Sequence, residues 1–313
     1  MMKKGFIFIL ILSLLMMVGC SQKEYLKNFT ADPSKTDEYD VTMKRDLLCL
    51  MMAYPEDITG VEEGEKDRVY ILMKSGKKIL YDDKEKKNEQ QKLQNPDLQD
   101  MMEQIYPLAP SHCLMEKGYD PGRIRVYSLL KEVYGGSRNQ IESNLKNLKI
   151  GYKYYPFNQN NKAREALKKA VGESLLLAQK KQKLYTFIVP PSGTFNYRLI
   201  AGTNRLSPHS FGTAIDLKRD KRDYWKWTCR EEGEKRLKGY PREIVQIFEK
   251  NNFIWGGKWA HFDILHFEYR PELILKARCF SSRSDNNQIW YDGVNTGDIS
   301  IKKYIQLIEK GLK

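Results

Sequence analysis

Three of the four histidines in this 313-residue chain, His209, His261 and His266, fall between positions 209 and 266, and two of them stand in strings that pair a histidine with a carboxylate. Ser207-Pro208-His209-Ser210-Phe211-Gly212-Thr213-Ala214-Ile215-Asp216 places an aspartate seven residues after a histidine, with a glycine between them that permits a tight turn or a close backbone approach. Trp255-Gly256-Gly257-Lys258-Trp259-Ala260-His261-Phe262-Asp263-Ile264-Leu265-His266-Phe267-Glu268 places Asp263 three residues before His266. A bend in the first string would point His209 and Asp216 into one cavity. Two neutral imidazoles and a carboxylate can bind zinc and leave a fourth position for water, which is what a hydrolytic site requires. A second carboxylate near that water can take its proton, so no serine or cysteine nucleophile is needed. Each string alone is short enough to arise by chance, and surface histidines with a buried polar aspartate account for either one. Together they give the metal reading equal standing.

The first twenty residues are set apart from the fold. Lys3 and Lys4 precede an uncharged apolar run from Phe6 to Val18 that ends at Gly19 and Cys20, the layout of an export signal. The run is too short to cross a hydrocarbon core of roughly 30 Å, which takes about 20 helical residues. Met17-Val18-Gly19 before Cys20 resembles the small-residue box of bacterial lipoproteins, although Met17 departs from the usual leucine. The expectation is a chain lipidated on Cys20, lipid-anchored to a bacterial membrane and facing the cell wall; an ordinary secretory signal with a chance cysteine is the alternative.

Lys and Arg total 53 against 40 Asp and Glu, a net charge of +13, and two of those cations lie in the signal. Export argues against nucleic acid as a partner. An anionic membrane surface or an acidic wall polymer fits better, though a lysine-rich solvated surface explains most of the charge equally well. Beyond Cys20 four cysteines remain in an oxidising compartment. Position suggests one bridge in each half, Cys49 with Cys113 and Cys229 with Cys279, with unpaired buried thiols as the alternative; none of them has the CxxC spacing of a thiolate zinc site.

Residues 21–42 are polar and read as a tether, 43–150 as an N-terminal α/β region and 151–313 as a catalytic domain, with a soft boundary near 150. Val69–Met73 and Lys78–Tyr81 around Gly76 predict a β-hairpin. The charged stretch from Asp82 to Lys92 reads as a loop or exposed helix. Asn95 before Pro96 reads as a helix N-cap, with Leu98, Met101, Met102 and Ile105 at helical spacing. Helices are expected over 126–134, 137–148 and 163–180, a strand over 185–189, a helix opened by Pro241, and an amphipathic C-terminal helix through Ile301, Ile305 and Ile308.

Arg198, the string Ser207-x-His209-x-x-Gly212-x-Ala214-x-Asp216 and Asp263-x-x-His266 closely resemble the D-alanyl-D-alanine carboxypeptidase family of zinc metallopeptidases, which includes vancomycin-resistance D,D-peptidases and L-alanyl-D-glutamate endopeptidases. The resemblance runs from about Gly193 to Leu273. It implies an α+β fold, a small antiparallel sheet with surrounding helices and a zinc cleft, preceded here by the N-terminal α/β region. It implies one Zn2+ held by His209, Asp216 and His266, with Asp263 as the general base where many members use glutamate. Arg198 matches an upstream arginine whose cationic fork would bind a substrate carboxylate or a developing oxyanion; a structural salt bridge is its other reading. Ser207 and Glu268 are candidates to orient the metal-bound imidazoles, or are satisfied loop residues. His261 is left out of the ligand set because a fourth ligand would close the site to water. Trp255 and Trp259 read better as core than as a cleft wall, and His112 as structural or exposed.

The implied substrates are peptidoglycan stem peptides, with the D-alanyl-D-alanine bond slightly ahead of L-alanyl-D-glutamate. A non-catalytic zinc-binding cell-wall lipoprotein is the rival reading, and the presence of Asp263 beside three intact ligands counts against it.

Overall fold

The computed structural model describes residues 36–281 and 289–312, all within one compact unit spanning Pro33–Lys313. The expected signal, Cys20 and most of the expected tether lie outside the described residues. The first described helix, α1 (Thr36–Ala53), begins inside the stretch read as tether. Among the described residues no helix is long and apolar enough to cross a membrane.

The α1 run Leu47-Leu48-Cys49-Leu50-Met51 is fully buried. The helix is followed by a three-stranded antiparallel sheet of β1 (Ile58–Glu63), β2 (Val69–Met73) and β3 (Lys78–Leu80). The expected hairpin is present: Val69, Ile71 and Met73 face inward in alternation, and Gly76 turns the chain at φ +88°. Two short helices follow, α2 (Glu89–Gln94) and α3 (Leu98–Met102). Asn95 is not the cap of the second. Asp97 and Asp100 close a reciprocal capping box, and this local pairing moves the helix start past Pro96.

After α4 (Tyr127–Tyr134), the expected helix over 137–148 divides into α5 (Arg138–Ser143) and β4 (Leu145–Ile150). Ile141, Leu145 and Leu148 do stand at helical spacing. Beyond Asn144, however, the chain pairs in antiparallel register with β5 (Lys153–Asn158), which buries Leu148 and Ile150 in alternation. Long helix α6 (Ala163–Lys180) has the expected bounds. The expected strand over 185–189 is instead a single helical turn, α7 (Tyr185–Ile188), continuing from a 3₁₀ turn at Gln182–Leu184. Its aromatic and β-branched residues favour a strand, but tertiary packing overrides that preference in so short a run.

The rest of the chain is the sheet that carries the site. Strands β6 (Ala214–Asp216), β7 (Phe253–Trp255) and β8 (His266–Tyr269) are antiparallel with β8 in the centre. Helices α8 (Arg230–Lys238) and α9 (Arg242–Lys250) precede β7, α10 (Pro271–Cys279) follows β8, and α11 (Ile299–Gly311) closes the chain. Phe248 of α9 lies 4.3 Å from Phe267, ring centre to ring centre, so this helix backs the central strand. Helix α10 packs against α1, where Lys276 pairs with Asp46 at 2.6 Å in a buried contact.

Neither expected disulfide forms, because Cys49, Cys229 and Cys279 are free thiols. Packing of α10 on α1 sets Cys49 near Cys279, within electrostatic reach, whereas Cys229 is exposed at the start of α8. Position along the chain carries no information on this packing.

Candidate metal centre

His209 sits in a 3₁₀ turn over Pro208–Phe211 whose entry and exit are both dictated locally. Ser207 caps the turn, its hydroxyl accepting the His209 N–H at 3.3 Å, and Pro208 presets the first residue. Gly212 ends it at φ +67°, and a Cβ there would come within 2.6 Å of Leu145 Cδ2. Buried Asn158 ties the turn to β5, donating from its side chain to the Phe211 carbonyl at 3.0 Å and from its backbone to Gly212 at 2.9 Å.

Asp216 and His266 reach the same place by strand register, since they are direct cross-strand partners on β6 and β8. Neighbouring side chains on one face of an antiparallel pair stand close enough to share a ligand. His266 Nδ1 lies 2.9 Å from Asp216 Oδ1, His209 Nε2 lies 3.2 Å from the same oxygen, and the two ring nitrogens are 3.2 Å apart. Four donors about 2.0 Å from a tetrahedral ion would be separated by about 3.3 Å. The observed edges fit that figure.

The groups behind the rings also fit. His209 Nδ1 donates to the Thr194 carbonyl at 2.5 Å, which leaves Nε2 with a lone pair turned toward the other two donors. Behind His266, Nε2 faces Glu268 Oε2 at 3.7 Å, because residues two apart on a strand share a face. Glu268 is itself held by Arg125, with Nε to Oε1 at 2.8 Å and Nη2 to Oε2 at 2.5 Å, and both side chains are buried. A carboxylate behind an imidazole fixes its ring orientation and raises its basicity as a ligand.

The electrostatics reflect three donors crowded together. Burial alone would depress His266, but Asp216 and Glu268 reverse this and raise its pKa to about 10. Burial likewise opposes ionisation of Asp216 and Glu268; the histidines overcome it at Asp216 and Arg125 at Glu268, and both carboxyls lie well below the usual range. At Asp263 desolvation wins and pushes the pKa up to about 8, against the opposing charge of His266. Its backbone N–H donates to Gly256 at 2.9 Å, and a Cβ on Gly256 would fall 2.5 Å from the Asp263 carbonyl oxygen. Gly257 has no room either, with a Cβ placed 2.3 Å from the Trp255 ring. The Gly-Gly pair is thus the packing condition for the loop that presents Asp263.

Of the other singled-out residues, Trp255 and Trp259 are buried, each donating its indole N–H to a backbone carbonyl, Ile264 at 2.7 Å and Pro121 at 2.6 Å. Ser207 acts on the His209 backbone and not on its ring. The Arg198 backbone is clamped to Ser210, whose hydroxyl accepts its N–H at 2.9 Å; the side chain is exposed, and its guanidinium donates to the neighbouring Leu199 carbonyl at 3.4 Å. Sequence reasoning missed Arg125 and Asp120, which reach the site from the N-terminal region, and the Thr194 carbonyl, which carries no side-chain signal at all. A second acidic group, Asp82, Asp83 and Asp97, is already engaged by lysines, Lys87 sitting 2.6 Å from Asp83 and 2.9 Å from Asp97 and Lys84 3.5 Å from Asp82.

No curated protein and no solved structure matches the chain. Residues 201–269, which hold all three donors and Asp263 and exclude Arg198, match the family model described as D-alanyl-D-alanine carboxypeptidase, and this match supports the family resemblance carried by the SxHxxGxAxD and DxxH strings.

Proposed function

We propose that this protein is a zinc-dependent peptidase that hydrolyses an amide bond in the stem peptides of bacterial cell wall, with the terminal D-alanyl-D-alanine bond its preferred target. The observation that carries the reading is the convergence of His209 Nε2, His266 Nδ1 and Asp216 Oδ1 at 2.9–3.2 Å, with each ring turned by a partner behind it. His209, Asp216 and His266 would hold the ion, whose contribution is Lewis acidity toward water and the scissile carbonyl.

The remaining steps belong to the chain's own groups. Asp263 takes the proton of the attacking water and returns it to the leaving amine. Arg198, exposed and without a carboxylate partner among the described residues, binds the substrate's terminal carboxylate. Ser207 and Asn158 hold the His209 turn, and Glu268 holds His266. Export and a lipid anchor at Cys20 complete the reading, supported by Lys3, Lys4 and the Phe6–Val18 run. Cleavage between L-alanine and D-glutamate is the second reading, favoured by an aspartate in place of glutamate at position 263.

A pentapeptide stem with a free C-terminus and the same stem amidated there separate the two. Preference for the free acid, with loss of the last D-alanine and abolished by Arg198→Ala, is the expected result. Equal rates on both stems, with products split between L-alanine and D-glutamate, would overturn the choice of bond and leave the hydrolase reading standing.

A further inference from the structure

The N-terminal region lays a strap, residues 118–125, along the loop that presents Asp263. The Tyr119 carbonyl accepts the Ala260 N–H at 2.8 Å, the Pro121 carbonyl accepts the Trp259 indole at 2.6 Å, and the Gly122 carbonyl accepts from Arg270 at 2.8 Å. Between them Asp120 uses both carboxylate oxygens on one residue. Oδ1 accepts the His261 backbone N–H at 2.9 Å, and Oδ2 accepts the His261 Nδ1–H at 2.6 Å. Arg123, 3.0 Å from Asp120 Oδ2, balances the charge.

This clamp settles the tautomer. With Nδ1 carrying the proton toward Asp120, the neutral ring offers a lone pair at Nε2, and no hydrogen bond within the described residues engages that nitrogen. The imidazole is 31% exposed, so Nε2 is accessible to a ligand. Its direction is fixed a second time by Trp225, which packs edge-on at 4.6 Å between ring centres and donates its backbone N–H to Phe262 at 3.0 Å. Tyr224 forms an antiparallel bridge with Asp263. His261 therefore stands two residues before Asp263, in the segment whose Phe262 and Asp263 pair with Trp225 and Tyr224.

We propose that His261 is a substrate-binding residue of the proposed peptidase site, its Nε2 accepting a hydrogen bond from a backbone amide N–H of the bound peptide, with Asp120 as the residue that positions it. The inference rests on the peptidase reading. It also gives the N-terminal region a direct role in the site, because removing the strap would remove the group that sets the acceptor.

The test uses the zinc-loaded full chain and a set of stem peptides N-methylated at one amide at a time. His261→Phe is expected to raise KM roughly three- to tenfold, the effect of one lost hydrogen bond, with kcat and metal content little changed. One N-methylated stem should penalise the wild type and not His261→Phe, identifying the amide concerned. Asp120→Asn keeps a carbonyl for the His261 backbone N–H but turns an NH2 toward Nδ1, which forces the proton to Nε2 and converts the acceptor into a donor. The ring 15N shifts of His261 should report that exchange, and KM should rise as for His261→Phe. Unchanged KM in both variants, or N-methyl penalties that are the same in wild type and His261→Phe at each position, would overturn the assignment. A wild type that cleaves no stem at all would instead remove the peptidase reading and this inference with it.

Discussion

Replacing Arg125 with leucine should cost the protein stability out of proportion to one side chain, because it strands the Glu268 carboxylate. The two groups are 6% and 1% exposed and make a two-pronged contact of 2.8 and 2.5 Å. Removing one member of a buried pair costs about 3–5 kcal/mol through the uncompensated charge left behind. Arg270 Nη1 lies 3.5 Å from Glu268 Oε1 and keeps part of the compensation, although Arg270 is already committed to Glu272 at 2.5 Å. The lower end, about 3 kcal/mol, is therefore expected, and a chain of this size would lose roughly 6–10 °C in its thermal midpoint. The double variant Arg125→Leu/Glu268→Gln should recover most of the loss, since the carboxylate that Arg125 compensated is then gone, Arg270 keeps its partner Glu272, and the glutamine oxygen can still face His266. Urea denaturation of the metal-free chain and of both variants measures this. A single variant within 1 kcal/mol of wild type, or a double variant no better than the single, would refute the reasoning.

Three further outcomes follow from the same geometry. His209→Ala and His266→Ala should each abolish stoichiometric zinc by elemental analysis, whereas full retention of zinc in both would remove the ligand assignment. In the metal-free chain His266 has a pKa raised to about 10, so its stabilisation is complete below about 6.5 and is lost as pH rises toward 10. The raised pKa of Asp263, about 8, acts in the same direction, so the urea midpoint should fall across this window and fall less in His266→Ala; a flat wild-type profile would contradict it. Cys20→Ser should leave the protein unprocessed or release it from the membrane fraction, and unchanged processing and detergent partitioning would end the lipoprotein proposal.

The site was more legible in the sequence than the fold around it. Metal ligands must be particular residue types, so the two strings pairing histidine with aspartate stand out by scarcity and spacing, the family resemblance implies His209, Asp216 and His266 as the ligand set, and the structure brings these three together. Their supports were mostly hidden. Thr194 acts through its carbonyl, which any residue supplies, and Arg125 and Asp120 meet Glu268 and His261 from more than a hundred positions away. Long periodic elements such as α6 were readable, whereas short segments were decided by neighbours. Leu145–Ile150 fits a helical face until β5 pairs with it, and Tyr185–Ile188 has strand-forming residues in a helical turn. The free thiols of Cys49 and Cys279 show the same limit, because α1 and α10 meet only in the folded chain.

The central claim is that three converging donors and a neighbouring carboxylate make a metal-dependent amide hydrolase. Mass analysis of muropeptides after incubation with the zinc-loaded chain, the chelator-stripped chain and zinc-loaded Asp263→Asn tests it directly. The expected result is shortened stems with the first alone, recovery of the stripped chain on zinc addition, and full zinc in Asp263→Asn with turnover reduced by about 10²–10⁴. Stems left intact by the zinc-loaded wild type, or cleaved equally by all three, would contradict the account.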